Sequence, residues 1–149
     1  TMIMEKEREY VLKHMNRLYS CGFGIDEAKS AQSIEDLICI MKTPKGVEHC
    51  MKFQFPDINM LLQHERILMG NNVFVDGHHT IENPRLVLAF GGTVSVLVDK
   101  YSICEVYATN DAIVKLIAKD NAFVTVETYH DSTFIETQND KSKIRIFKR

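Results

Sequence analysis

The densest group of side chains that could do chemistry lies between residues 76 and 82. Asp76, His78, His79 and Glu82 bring two imidazoles and two carboxylates together in the sequence. Such groups can ligate a metal ion. Metal sites, however, usually place their ligands at helical or knuckle spacings, and this cluster has neither. The pattern therefore favours a solvated turn between two strands, with these four residues kept only as candidate metal ligands.

A second group has the parts of a thiol nucleophile and its base, namely His49-Cys50 with His64 further along the chain. Neighbouring residues on a helix point about 100° apart, so His49 and Cys50 cannot easily meet. Cys50 also falls on the apolar stripe of a predicted helix, which is typical of a core thiol. No Walker loop, GxGxxG or GxSxG motif occurs. The sequence thus predicts no catalytic residues and no cofactor.

The third group is the basic C-terminal run, made up of Lys141, Lys143, Arg145, Lys148 and Arg149. These cations could bind phosphates, with Phe147 among them to stack on a base. Charges at the last strand of a sheet also protect its edge against further pairing, and this is the interpretation that we favour. Nucleic-acid binding through these five residues stays the alternative.

The helices and strands around these three groups must position them. The clearest pattern of such elements is a ten-residue repeat that runs from Gly91 onward. The blocks read GGTVSVLVDK, YSICEVYATN, DAIVKLIAKD, NAFVTVETYH, DSTFIETQND and KSKIRIFKR. The second position is always small, and the fourth and sixth are mostly apolar, so each block predicts a strand with one buried face. Asn and Asp recur at the block ends, where they tolerate the left-handed backbone of a tight corner.

Two folds can use this unit. A two-residue hairpin would move the buried face from even to odd positions at each turn, whereas a parallel β-solenoid keeps it even. The buried face stays on the even-numbered positions through most blocks. We therefore predict a β-solenoid in which two blocks make one coil of two facing sheets. An antiparallel β-meander with longer loops is the alternative. At Glu136 a carboxylate occupies an apolar position, which predicts a bulge or register shift over residues 134–137.

Short helical patterns precede this ladder. A first helix is predicted from Glu5 to Ser20, and Ser33 is a predicted N-cap for an apolar stripe that ends at Met41. Thr43-Pro44 and Pro56-Asp57 begin two more helices. The fold class is therefore α+β, with short N-terminal helices over residues 1–70 that cap a β-solenoid over residues 71–149.

Composition narrows the function classes. The 149 residues carry a net charge of −2, with 45% hydrophobic and 26% charged residues, so no overall bias toward nucleic acid or membrane is present. The four cysteines are dispersed without a CxxC pair, which favours reduced thiols and a cytoplasmic location. No secretory leader or membrane span is expected.

Several pieces of the chain resemble a known group. They are Thr43-Pro44-Lys45-Gly46 followed by His49-Cys50, Phe55-Pro56, Val73-Phe74-Val75-Asp76-Gly77, Glu82-Asn83-Pro84 and the ladder. Over residues 33–149 this order resembles that of small proteins without assigned activity from gut-bacterial genomes and their phages. The resemblance implies the same architecture and a phage or mobile-element origin, and it implies no catalysis.

The functional prediction is a non-enzymatic protein-interaction or accessory module, because rigid repeat ladders commonly present surfaces for protein contacts. The alternatives are nucleic-acid binding through the C-terminal strand and an enzyme with its site at the helix–ladder junction. The expected partners are an unidentified protein and a second copy of the chain, joined through the C-terminal edge strand.

Overall fold

The computed structural model describes residues 5–17 and 31–149. The chain divides into two compact units that meet between Cys50 and Met51. Helices form the first unit and the beginning of the second, and a parallel β-solenoid forms the remainder. The predicted α+β class with N-terminal helices and a β-solenoid is confirmed, while the division into domains 1–70 and 71–149 stays a prediction.

The first unit contains helices α1 (Glu5–Arg17) and α2 (Ile34–Met41) and most of α3 (Pro44–Phe53). The predicted N-cap is present, because the Ser33 hydroxyl accepts the Asp36 N–H at 3.1 Å. Helix α2 buries its apolar stripe through Ile34, Ile38 and Met41. The predicted end of the first helix at Ser20 lies outside the described residues.

The second unit begins with the last turn of α3 and helices α4 (Ile58–Leu62) and α5 (Glu65–Met69). The Asp57 side chain caps α4 by accepting the Asn59 N–H at 2.9 Å. Helix α5 contacts the first strand of the solenoid. The Thr109 hydroxyl donates to the Met51 carbonyl at 2.8 Å, so a solenoid corner satisfies a carbonyl that the end of α3 leaves without a helical partner.

The strands of the second unit follow one another at short intervals. They are β1 (Val73–Phe74), β2 (His78–Glu82), β3 (Leu86–Ala89), β4 (Thr93–Val98), β5 (Ile103–Ala108), β6 (Ile113–Ala118), β7 (Phe123–Thr128), β8 (Thr133–Gln138) and β9 (Lys143–Lys148). Strands β1, β3, β5, β7 and β9 form one sheet, called here the odd-strand sheet. Strands β2, β4, β6 and β8 form the even-strand sheet.

Each strand pairs in parallel with the strand two places later, which is the pairing of a solenoid. Thr93 pairs with Ile113 and Ile113 with Thr133, so a coil contains 20 residues, or two of the ten-residue blocks. The antiparallel meander is thus wrong. The first coil is shorter, with His78 opposite Thr93, because β2 and β3 precede the regular period.

The corners have the left-handed backbone that the sequence predicts. Asn110, Asp120, His130 and Asp140 have φ between 55° and 57°. Asn and Asp accept this conformation at low cost. The corner residues also connect successive coils, because the Lys100 N–H donates to Asp120 Oδ2 and the Asp120 N–H donates to Asp140 Oδ2, both at 2.9 Å. The carboxylate of a corner Asp therefore accepts an N–H of the preceding coil, while its backbone adopts the left-handed conformation of its own corner.

The interior is a stack of small and branched apolar side chains from both sheets. Its members are almost fully buried and include Val94, Val96, Val98, Cys104, Val106, Ala108, Ala112, Val114, Leu116, Ala118, Ala122, Val124 and Val126. These are the even positions of the blocks, so the inward parity predicted from the sequence is confirmed. Burial of this continuous stack is the main stabilising contribution, because one coil alone cannot enclose its apolar face.

The expected bulge at residues 134–137 is wrong. Strand β8 pairs with β6 without interruption, and Glu136 lies opposite Leu116 in the regular register. Glu136 nevertheless stays exposed, because β8 is the edge of its sheet and the last coil is open on one side. The carboxylate therefore keeps its water, and no register shift is needed to avoid the cost of burying it.

The second position of each block is always small, so a larger side chain at Ala122 is expected to destabilise the fold. Ala122 is 1% exposed at the corner before β7. We expect Ala122→Leu to lower the free energy of unfolding by about 1–3 kcal/mol, because the added carbons have no space in a closely packed stack. Urea denaturation measures this loss. Lys115→Leu, on the outer surface of β6, is the control and should change stability by less than about 0.5 kcal/mol. Equal midpoints for Ala122→Leu and wild type would contradict the assignment of this column to the interior.

Candidate functional site

The structure separates the candidate metal ligands. His78 and His79 are neighbours on β2 and so point to opposite faces of the strand, with Glu82 at its other end. His79 Nε2 lies 2.7 Å from the Asp76 carbonyl oxygen, and its ring lies 4.9 Å from the Phe74 ring. Among residues 5–17 and 31–149, no three His, Cys, Asp or Glu side chains are arranged to hold a metal ion. His79 thus contacts the backbone of the turn that precedes β2.

The thiol of Cys50 is poorly suited to nucleophilic catalysis. Burial raises its pKa to about 12, so the thiol stays protonated near neutral pH. Burial also lowers the pKa of the neighbouring His49. Cys104, in the solenoid interior, likewise has a pKa raised to about 12, first by burial and then by Glu105. Cys39 is exposed, and Cys21 lies outside the described residues.

The five basic C-terminal residues do not form a single surface. Lys143 and Arg145 lie on the outer face of β9, and Lys141 lies at the corner before it. Lys148 has the opposite parity, and its Nζ lies 5.9 Å from the Phe134 ring of the facing sheet. Its charge is therefore at the open end of the last coil.

Arg149 forms an ion pair with Glu127. Its Nε donates to Glu127 Oε1 at 3.0 Å, and this interaction raises the pKa of the guanidinium. Its guanidinium also lies over the Phe147 ring, 5.2 Å from the centroid. A cation held in this way offers less charge to a phosphate backbone. The patch expected from the sequence is thus spread over the outer face, the corner and the open end.

The outer face of the odd-strand sheet, which includes Lys143, Arg145 and Arg149, brings together aromatic, apolar and charged groups. Outward side chains of β5, β7 and β9 form columns on the outer face of the odd-strand sheet, called here the aromatic face. Its members are Ile103, Glu105, Tyr107, Phe123, Thr125, Glu127, Tyr129, Lys143, Arg145, Phe147 and Arg149. Ile103 is 49% exposed and Phe147 is 41% exposed, so large apolar groups on this face contact solvent.

Hydrogen bonds fix the polar groups of the aromatic face. Tyr107 Oη donates to Glu105 Oε1 at 2.9 Å, and Tyr129 Oη donates to Glu127 Oε1 at 3.1 Å. Burial, followed by the hydrogen bond that Tyr107 donates to Glu105, raises the pKa of Tyr107 and keeps the phenol neutral. Side chains held in this way lose little conformational entropy when a partner binds.

Arginine and aromatic side chains also pack together on this face. The Arg145 guanidinium lies 5.7 Å from the centroid of the Phe123 ring on the neighbouring strand. This cation–π contact is made by an exposed Arg145, so the guanidinium also remains accessible to solvent. Aromatic residues and Arg are the types most enriched in protein–protein contacts. The aromatic face thus displays the residue types that are enriched in such contacts.

The outer face of the even-strand sheet has a different character. Ile113, Ile117 and Ile135 are 38%, 46% and 61% exposed, and Lys115 lies among them on β6. Leu97 lies beside Ile117 on the adjacent strand. Isoleucine and threonine dominate here, so this isoleucine face lacks the aromatic and arginine groups of the opposite sheet.

The sequence contains the signal for the aromatic face, but it must be read in alternate blocks. Strands β5, β7 and β9 come from every second ten-residue block, so outward positions align only after a step of 20 residues. The fifth column read through successive blocks mixes the two sheets and gives no pattern. Read in steps of 20, it gives Glu105, Thr125 and Arg145 on one sheet.

Comparisons with known proteins give no family. No protein-family model matches the chain, and neither the curated proteins nor the solved structures gave a match. Of what the resemblance to gut-bacterial and phage proteins implies, the structure shows the N-terminal helices followed by a β-solenoid. In the part of the chain that the structure describes, no helix is long and apolar enough to cross a membrane.

Proposed function

We propose that this protein is a non-enzymatic protein-binding module that contacts its partner through the aromatic face. The observation that supports this most is the combination of exposed Ile103 and Phe147 with the stacked Arg145 on one rigid sheet. Energetic hot spots in interfaces are enriched in Tyr, Trp and Arg and are surrounded by groups that exclude water. The hydrogen-bonded Tyr107 and Tyr129 would supply such a setting.

The proposal extends to the biological setting. The resemblance stated above suggests an accessory role in a phage or mobile element. The separate Cys39, Cys50 and Cys104 suit a reducing cytoplasm, because none of them is in a disulfide. Both points are expectations that identification of the partner would decide.

The two alternatives have less support from the geometry. Nucleic-acid binding is weakened because Arg149 is paired with Glu127 and Lys148 points to the open end. A junction enzyme is weakened because His78 and His79 diverge on β2. A titration with DNA and RNA across a salt series tests the first alternative, since phosphate binding falls steeply as salt rises.

The binding proposal is tested by retention of proteins from a lysate of the native host. We expect wild type to retain a specific protein, and Ile103→Ser or Phe147→Ser to weaken that binding roughly 30-fold, the effect of losing a hot spot of about 2 kcal/mol. Ile117→Ser is the matched control, because Ile117 is similarly exposed, at 46%, on the isoleucine face. Equal retention by all three variants, or no specific retention by wild type, would contradict the proposal.

A further inference from the structure

Among the strands that the structure describes, β8 and β9 are each paired on one side only. In β8 and β9 the odd-numbered residues direct their N–H groups back to the preceding coil, as Thr133 does toward Ala112 and Lys143 toward Ala122, both at 2.9 Å. Alternation along a strand therefore directs the N–H and C=O groups of the even-numbered residues toward the open end. A further strand could pair with these groups, once the Ile144 N–H has exchanged its present acceptor, Gln138 Oε1, for a carbonyl of that strand.

A side chain already occupies one position of such a strand. Gln138 Oε1 accepts the Ile144 N–H at 3.2 Å, where the carbonyl of a following strand would otherwise lie. Phe134, Ile144 and Ile146 are only partly buried against the interior stack. The end therefore combines hydrogen-bonding groups with apolar surface that another layer would cover.

The residues of β8 and β9 face each other in a defined order. Lys148 Nζ lies over the Phe134 ring, and Gln138 reaches Ile144. The middle pair is then Glu136 with Ile146. A twofold axis parallel to the strands would bring β8 of one copy beside β9 of another, antiparallel and with these same pairs. All the paired positions are even-numbered, which matches the hydrogen-bonded pairs of an antiparallel ladder.

A second copy at this end would cover the inward-facing Glu136, so the arrangement requires a charge partner for its carboxylate. Glu136 and Lys148 are both exposed there, and in the twofold register Glu136 lies diagonally opposite Lys148 of the second copy, within reach of long side chains. The arrangement is symmetric, so it forms this pair twice. Two other cations of the basic C-terminal run lie away from this contact, because Arg145 is on the outer face and Arg149 is paired with Glu127.

We infer that two copies of this chain associate end to end, with β8 of each pairing with β9 of the other. The even-strand sheet of one copy then continues into the odd-strand sheet of the other. The contact is closed and self-complementary, so it forms dimers and not fibres. It does not depend on the aromatic face, and a partner on that face could bind either the single chain or the pair.

Charge exchange tests the inference. Glu136→Lys places two pairs of like charges across the contact, and so does Lys148→Glu, so we expect either variant alone to dissociate roughly tenfold more readily than wild type. A mixture of the two variants restores opposite charges at both positions and should form a mixed dimer. Light scattering gives the masses, and a tag on one variant identifies the mixed species. High salt, near 1 M, should weaken the mixed dimer, because the Debye length is then about 3 Å.

Both residues are exposed in the single chain, so the variants should keep the melting temperature of wild type at a protein concentration low enough to keep wild type monomeric. This melting temperature is measured for each variant. Wild type that stays monomeric at high protein concentration and at every salt concentration would overturn the inference and would show that the polar end is a cap. A wild-type dimer whose mass neither variant changes would overturn it as well, because the contact would then lie elsewhere. The aromatic-face variant Phe147→Ser should still form the pair, which separates this result from the binding proposal.

Discussion

Replacing Leu116 with Ala is expected to lower the free energy of unfolding by about 2–5 kcal/mol. Leu116 is 1% exposed in β6, between β4 and β8, and it is among the largest fully buried side chains of the solenoid interior. The loss includes the transfer free energy of the removed carbons and the cost of the cavity that the paired strands cannot close. Urea denaturation monitored by circular dichroism measures the change.

The adjacent residue is the matched control for this prediction. Ile117 is 46% exposed on the isoleucine face, so Ile117→Ala removes a similar number of carbons without leaving a cavity. We expect it to cost less than about 1 kcal/mol. Similar losses for the two variants would show that β6 does not alternate between interior and solvent in the way the structure indicates.

Replacing Gly92 with Ala is expected to cost about 2–4 kcal/mol, because strain and a steric clash act together. Gly92 has φ of 73°, a left-handed backbone conformation that residues other than glycine rarely adopt. An added Cβ would also lie 2.6 Å from the Gly77 carbonyl oxygen and 2.7 Å from the Asp76 carbonyl carbon. This close backbone contact joins the first coil to β4, so relief of the clash would disturb the pairing of β2 with β4.

Gly70 provides the control for Gly92. It lies at the end of α5 with φ of −62°, and a Cβ there would meet only carbonyl oxygens at 3.6 Å, an ordinary contact. Gly70→Ala should therefore leave stability unchanged or raise it by up to about 1 kcal/mol, through the unfolded state. Thermal melting followed by circular dichroism compares the two variants. If the Gly92→Ala protein had the same melting temperature as wild type, the first coil could not approach β4 as closely as the structure indicates.

The sequence was informative about the ladder because its physical constraints are local. Most ten-residue blocks alternate buried and exposed positions, and four corners place Asn, Asp or His where φ is positive, while a fifth places Lys100 there. The unchanged parity of the buried face was sufficient to favour parallel coils over hairpins. The Ser33 cap of α2 was also predictable, because a hydroxyl that satisfies the first helical N–H groups acts over three residues.

The failure at Glu136 shows the limit of that reasoning. An apolar column predicts burial only while another coil covers it, and the sequence does not show that the sheet of β8 ends there. The structure keeps the register and exposes the carboxylate instead. Whether an inward position is buried thus depends on the place of its coil in the stack.

The sequence by itself determined the strand unit, the inward face and the corners of this protein, because period, side-chain size and backbone preference are properties of neighbouring residues. Only the tertiary structure decided which outward residues share a surface. Coiling places residues that are 20 apart side by side and sends adjacent blocks to opposite sheets. For this reason Phe123 and Arg145 meet on the aromatic face, whereas Lys148 and Arg149, neighbours in sequence, point to different surroundings.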